Sequence, residues 1–178
     1  MEKRFVFENV LLIKPYLFAL IGFFLLAPII IIIATLLKET LTGLMLGTAV
    51  AFAVMFALFK RLSKTVEISF DADNIKFTYD GKTIEYLKSD LKGFYSFNYF
   101  RKVNSTISMR FDFTDGKKIN ISDYLNTGKV IPEKRQMLKD FLTTAENELH
   151  FTEVWVSKSR SFGKIGNVWF SALSTGNH

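Results

Sequence analysis

The sequence contains no cysteine and only two histidines, His150 and His178. Without cysteine there is no disulfide framework, no thiolate nucleophile and no cysteine metal site. The short motifs of zinc proteases, serine hydrolases, P-loop NTPases and dinucleotide-binding enzymes are missing as well. The sequence therefore predicts a protein that is not an enzyme and that binds neither a metal nor another cofactor.

Charge is missing from two long stretches, residues 16–37 and 41–59. As helices they would be about 33 and 28 Å long, and the hydrocarbon core of a bilayer is about 30 Å thick. The alternative is two buried helices of a soluble protein, which would carry a polar stripe. The few polar residues do not form one; they are Tyr16, Thr35, Thr42 and Thr48. We therefore expect two transmembrane helices and a lipid bilayer around them.

Three residues, 38–40, separate the two stretches. Because a chain in lipid can reverse only where water reaches its backbone, they predict a short non-cytoplasmic turn between antiparallel helices. The flanking cations are Lys3, Arg4 and Lys14 before the first helix, and Lys60, Arg61 and Lys64 after the second. This bias places both termini in the cytoplasm, as in a multi-pass protein of the bacterial inner membrane. It also makes Lys60, Arg61 and Lys64 candidates for contact with anionic lipid.

Small residues recur at every fourth position of the second helix, at Gly43, Gly47 and Ala51. Such a stripe lets another backbone approach closely. Two partners fit it, the first helix of the same chain and a helix of another membrane protein.

From Thr65 onward the apolar residues alternate, which is typical of strands. Six segments show the pattern: TVEISF, IKFTY, KTIEYL, GFYSFNYF, TISMRFDF and KINIS. A helical period follows Pro132, with apolar residues at Leu138, Phe141, Leu142, Ala145 and Leu149. We therefore expect a cytoplasmic N-terminal segment (1–15), the two helices, an α+β domain over 62–149 and a C-terminal tail (150–178). That domain would be an antiparallel sheet or partial barrel capped by one helix.

The order of two spans, a meander and a helix, with the segment KTIEYLKSDLKGFYSF, resembles bacterial pleckstrin-homology-like (PH-like) membrane proteins over about residues 10–149. The resemblance implies a PH-like fold and a binding scaffold rather than an enzyme. Eukaryotic relatives of that family hold phosphoinositides with basic residues in the first hairpin loop. Here that loop, residues 71–74, is acidic, so phosphoinositide binding does not carry over.

The segment FYSFNYFRK is the richest in recognition chemistry. Strand alternation places Tyr95, Phe97 and Tyr99 on one face, beside Arg101 and Lys102. One interpretation is that these aromatic residues pack in the core or under another part of the chain. The other is a recognition surface, because aromatic residues and arginine are enriched at interface centres.

The tail contains two similar segments, VWVS and VWFS, around Trp155 and Trp169. Two extra strands would fit them, and so would one strand with a loose tail. A tail this apolar is expected to bury itself, either on its own domain or on a partner subunit.

Taken together, the sequence predicts a membrane-anchored binding or accessory protein that presents a PH-like domain to another membrane protein or to a second copy of itself. One alternative is a sensor of anionic lipid that uses the basic residues Lys60, Arg61, Lys64, Arg101 and Lys102. A second alternative is a membrane enzyme of unrecognised type. Nucleic acid is not an expected partner, because the net charge of +6 is diffuse.

Overall fold

A computed structural model of the chain describes residues 3–13, 15–37, 40–101, 103, 105–123, 130–154 and 167–172. The chain divides into two compact units. The helical unit is Ile13–Ser63, and the α+β unit is Met1–Leu12 together with Lys64–His178. The helical unit is therefore an insertion within the chain of the α+β unit.

The helical unit contains α1 (Pro15–Leu36) and α2 (Thr40–Leu62). A Cβ atom added to Gly43 would lie 2.7 Å from the Cα of Ala34, and one added to Gly47 would lie 3.0 Å from the Cα of Ile30. The two backbones are thus in direct contact, and the order of the contacts makes the helices antiparallel. Ala51, the third member of the small-residue stripe, is 3% exposed. Gly43 and Gly47 therefore lie against the first helix of the same chain.

Most of the exposed large apolar side chains of the described residues lie on α1 and α2. Phe23 and Phe24 on α1 are 68% and 66% exposed, and Phe52 on α2 is 72% exposed. By length and composition, one segment of the described residues, Leu41–Leu62, could cross a membrane, and the apolar segment of α1 is the shorter Leu20–Leu36.

The first sheet of the α+β unit has four antiparallel strands in the order β1-β2-β3-β4. They are β1 (Lys3–Val10), β2 (Lys64–Phe70), β3 (Asn74–Tyr79) and β4 (Lys82–Leu87). The N-terminal segment (1–15) was expected to lie outside the α+β domain. This was wrong, because its residues form β1, which pairs with β2 from Lys3↔Phe70 to Val10↔Lys64. A register shift between Phe7 and Val10 breaks the alternation, with Asn9 at a φ of 54°, and this irregularity hid the strand.

The second sheet has five antiparallel strands in the order β7-β6-β5-β9-β8. They are β5 (Leu91–Phe97), β6 (Ser108–Phe113), β7 (Lys118–Ser122), β8 (Thr152–Val154) and β9 (Asn167–Ser171). The segment expected as a C-terminal tail therefore adds two strands to this sheet, and its Phe170 is fully buried. An isolated bridge between Leu11 and Ser122 joins the two sheets at one end.

The third helix, α3 (Pro132–Leu149), closes the core as the sequence predicts. Its buried residues are the five expected from the helical period: Leu138, Phe141, Leu142, Ala145 and Leu149. The ring of Phe141 contacts both sheets, with centroid distances of 5.4 Å to Phe7 and 6.4 Å to Phe94. The described residues thus form an α+β protein with three helices and two antiparallel sheets.

The contact between α1 and α2 can be tested by filling the space at Gly47. We expect Gly47→Leu to destabilise the helix pair by about 1–3 kcal/mol, because the added side chain meets the backbone of Ile30. Ala49→Leu is the matched control, since Ala49 is exposed on the same helix. Thermal unfolding in detergent measures the difference, and equal stability of the two variants would contradict the described packing.

Glu148 gives a test of pH dependence. Hydrogen bonds from Lys88 and Lys3 hold the pKa of Glu148 below its ordinary value of 4.5, and the Nζ–carboxylate distances are 2.9 and 3.2 Å. The ion pairs therefore stabilise the fold above the unfolded-state pKa, and this stabilisation is lost as the pH falls through the folded-state pKa.

We expect Glu148→Gln to lower the free energy of unfolding by about 1 kcal/mol or less at neutral pH. The difference from the native sequence should shrink towards zero in acid. Chemical denaturation in detergent at a series of pH values measures it. A difference that stays constant down to the acid end of the series would show that the ion pairs are not its source.

Candidate functional site

The outer face of the five-stranded sheet carries the aromatic residues that the sequence singles out. Phe94 and Ser96 of β5 are fully buried, so the intervening residue Tyr95 points away from the core. Phe97, at the end of the strand, packs against the core instead, and its ring centroid lies 6.3 Å from that of Tyr99. Both side chains are half-buried. The predicted alternation therefore holds for Phe94, Tyr95 and Ser96 and ends at Phe97.

The strand register places a row of residues directly across this face. Tyr95 pairs with Trp169 on β9 and with Arg110 on β6. The ring of Tyr95 lies between them, 4.5 Å from the Trp169 ring and 4.4 Å from the Cζ atom of Arg110. We call Trp169, Tyr95 and Arg110 the aromatic row. A guanidinium group over an aromatic face is a favourable cation–π arrangement.

Arg110 is held in place by a carboxylate on the same strand. Its Nε and Nη2 atoms donate to the two carboxylate oxygens of Asp112, at 2.7 and 2.9 Å. Such a two-point hydrogen bond fixes the plane of the guanidinium group. The Nζ of Lys118 lies 4.0 Å from Asp112 and adds a second cation beside the row. The row therefore presents an oriented cation and two aromatic rings.

Trp169 is positioned by the absence of a side chain at Gly93. A Cβ atom at this glycine would lie 2.3 Å from Cζ2 of Trp169 and 2.5 Å from the carbonyl oxygen of Phe170. The indole ring and the β9 backbone thus occupy the space that any other residue would fill. Gly93 lets β9 lie close to β5.

Tyr99 was wrongly expected to share the face of Tyr95 and Phe97. The strand ends at Phe97, and the Oδ1 of Asn98 accepts hydrogen bonds from the backbone N–H groups of Phe100 and Arg101. This turn redirects Tyr99 into the core, where it is fully buried and its hydroxyl donates to the Thr106 carbonyl. Burial raises the pKa of Tyr99. Tyr99 is a core residue and is not available to a partner.

Arg101 is exposed and has a partner within the chain. Its Nη1 lies 2.8 Å from a carboxylate oxygen of Glu153, and the other oxygen accepts a hydrogen bond from Asn98 at 2.7 Å. Glu153 thus ties the turn after β5 to β8. Lys102 and Trp155, the other two residues proposed from this part of the sequence, lie outside the described residues.

The basic residues near the end of α2 divide between the two units. Lys60 and Arg61 lie in the last turn of α2 and are exposed. Lys64 begins β2 and forms an ion pair with Asp80 at 2.7 Å. Lys64 is thus engaged within the α+β unit, whereas Lys60 and Arg61 are exposed on the helical unit.

The sequence reasoning missed Arg110, although it lies at the centre of the row. The residue was visible in SMRFDF, but its position beside Tyr95 depends on the pairing of β5 with β6. Within the part of the chain that the structure describes, no cluster of three histidine or acidic residues could hold a metal ion. Burial, and then the charge of Glu153, raise the pKa of Glu146, which lies near the end of α3.

Comparison of the chain with models of protein families, with characterised proteins and with solved structures gives no match. The PH-like resemblance therefore stays an expectation from the sequence, and the function has to be argued from the geometry.

The close approach at Gly93 gives a test of the row. We expect Gly93→Ala to loosen β9, because the added methyl group meets both the indole ring and the Phe170 carbonyl. In a background that carries Trp155→Phe, Trp169 is the only tryptophan. Its fluorescence emission should shift to longer wavelengths, and iodide should quench it more strongly. Lys92→Ala, at the exposed neighbouring position, is the control. Unchanged emission in Gly93→Ala would contradict the described packing.

Proposed function

We propose that this chain is a membrane-anchored binding protein. In this proposal α1 and α2 form a transmembrane hairpin with both termini in the cytoplasm of a bacterial cell. The α+β unit, of PH-like type, then presents the aromatic row to another membrane protein or to a second copy of the chain.

The anchoring is supported by the side chains that point away from the contact between α1 and α2. Phe23, Phe24, Phe52 and Phe56 are each more than 60% exposed in the absence of lipid. In water this would be an unusually large apolar surface, whereas lipid is a favourable solvent for it. The exposed Lys60 and Arg61 at the end of α2 fit the cytoplasmic side.

The binding role depends on one observation, the aromatic row on the outer face of the second sheet. The hydrophobic core of the unit is formed by the opposite face, with Phe94, Phe111 and Phe170 fully buried. The half-buried Trp169, Tyr95 and Arg110 are the residue types that dominate binding energy at protein interfaces. Because Asp112 and Gly93 fix the arginine and the indole in advance, binding would order few side chains.

The alternative of an anionic-lipid sensor receives less support. Of its five proposed cations, Lys64 and Arg101 already form ion pairs with Asp80 and Glu153. Lys60 and Arg61 lie at the end of a proposed transmembrane helix, where they suit orientation as well as sensing. The enzyme alternative lacks a specific observation in its favour among the described residues.

The test uses a photo-crosslinking analogue of phenylalanine at Phe97, the half-buried neighbour of the row, in intact membranes. We expect a cross-link from position 97 to a membrane protein or to a second copy. Arg110→Met should weaken that cross-link, because it removes the cation from the row. The same analogue at Thr83, an exposed position on the other sheet, is the control.

Two results would overturn the proposal. One is equal cross-linking, or none, from positions 97 and 83. The other is recovery of the full chain in the supernatant after alkaline carbonate extraction, which would remove the membrane anchor itself.

A further inference from the structure

A second surface of the α+β unit exposes large apolar side chains. Phe100 and Val103 follow β5 and are 53% and 73% exposed, and Val130 and Ile131 precede α3 and are 38% and 48% exposed. We call these four residues the end patch. Exposed apolar side chains that cluster on one surface mark a site of interaction, whereas scattered ones do not.

Hydrogen bonds show that the two segments of the end patch lie together. The backbone N–H of Ile131 donates to the hydroxyl of Ser105 at 3.1 Å. The guanidinium of Arg135 donates to the carbonyl of Tyr99 at 3.2 Å. Two hydrogen bonds thus join the chain at Tyr99 and Ser105 to the start of α3, so the two segments of the patch lie next to each other.

The end patch lies at the end of the α+β unit where the chain leaves for α1 and returns from α2. Val10 pairs with Lys64 at this end, and Leu11 forms the bridge to Ser122. Ser122 pairs in turn with Ser108, the first residue of β6 after the loop that carries Phe100 and Val103. Leu12 and Lys64, the residues next to the two chain connections, therefore lie at the same end of the strands as the patch.

Three basic residues lie near the end patch, and two of them form ion pairs. The Nζ of Lys139 lies 5.6 Å from the centre of the Phe100 ring. Arg101 is next in the chain, exposed and paired with Glu153, and Lys134 on the first turns of α3 pairs with Asp123. Apolar side chains with lysine and arginine around them match the boundary between acyl chains and anionic headgroups. A membrane surface therefore fits this patch in polarity, with Lys139 as the cation beside it.

We propose that the end patch inserts into the headgroup region of the bilayer and forms a second membrane contact for the chain. This inference rests on the proposed function, because the chain connections at this end lead into helices proposed to lie in the same bilayer. In this proposal the patch meets the membrane surface at one end of the strands of the α+β unit.

Because the sequence contains no cysteine, a single introduced cysteine can be labelled specifically. Phe100→Cys and Val103→Cys each introduce a unique thiol for the environment-sensitive fluorophore NBD. The full chain is reconstituted into vesicles that contain anionic phospholipid. We expect both probes to show blue-shifted emission and to lose emission to lipids that carry a nitroxide near the headgroups.

Two further single-cysteine variants make the result decisive. Leu87→Cys is the matched control, because Leu87 is 51% exposed and pairs with Asn74 at the opposite end of the strands. Its probe should keep its emission, which excludes insertion driven by the fluorophore alone. Phe52→Cys on α2 reports the anchor, and its probe should be quenched by nitroxides deep in the acyl chains.

The outcomes separate this inference from the proposed function. Quenching at positions 52, 100 and 103 without quenching at 87 supports the end patch. Quenching at 52 alone, or equal quenching at 87 and 103, overturns the end patch and leaves the anchor in place. No quenching at 52 overturns the anchor and the end patch together.

Discussion

The pairing of β1 with β2 is the constraint on which the rest of the structure depends. Val10 and Lys64 are partners in this pairing, although 53 residues lie between them. The intervening chain must therefore return to the place from which it left. If α2 crosses a bilayer, α1 has to cross it as well, because a single crossing would leave β1 and β2 on opposite sides. The pairing thus supports a hairpin of two spans more strongly than the length of either helix does.

Gly93 allows the second sheet to be completed, because it leaves space for β9 beside β5. β9 inserts between β5 and β8, and the indole of Trp169 occupies the space next to this glycine. The same contact that completes the sheet also brings Trp169 beside Tyr95 on its outer face. The aromatic row is therefore a consequence of how the chain closes the sheet, and its rings are ordered before any partner binds.

The elements that could be predicted are those set by local patterns. The five buried residues of α3 follow from the helical period, and the turn at Asp80-Gly81 has the two positive φ angles, 49° and 72°, that its sequence indicates. The errors come from features that are not local. An irregular register hid β1, the side chain of Asn98 reversed the orientation of Tyr99, and Arg110 reaches Tyr95 only through the pairing of two strands. Two of the three residues of the aromatic row, Trp169 and Tyr95, were therefore predictable, and its cation was not.

The geometry of a sheet allows the two proposed contacts to act together. The end patch lies at the ends of the strands, whereas the aromatic row lies on a sheet face, whose side chains project perpendicular to the strands. A unit that rests on the bilayer through its strand ends keeps that face free along the membrane plane. Under the two proposals, a partner in the same membrane would reach this face from the side without lifting the unit away. Lipid contact at the strand ends would then leave Trp169, Tyr95 and Arg110 free to select the partner.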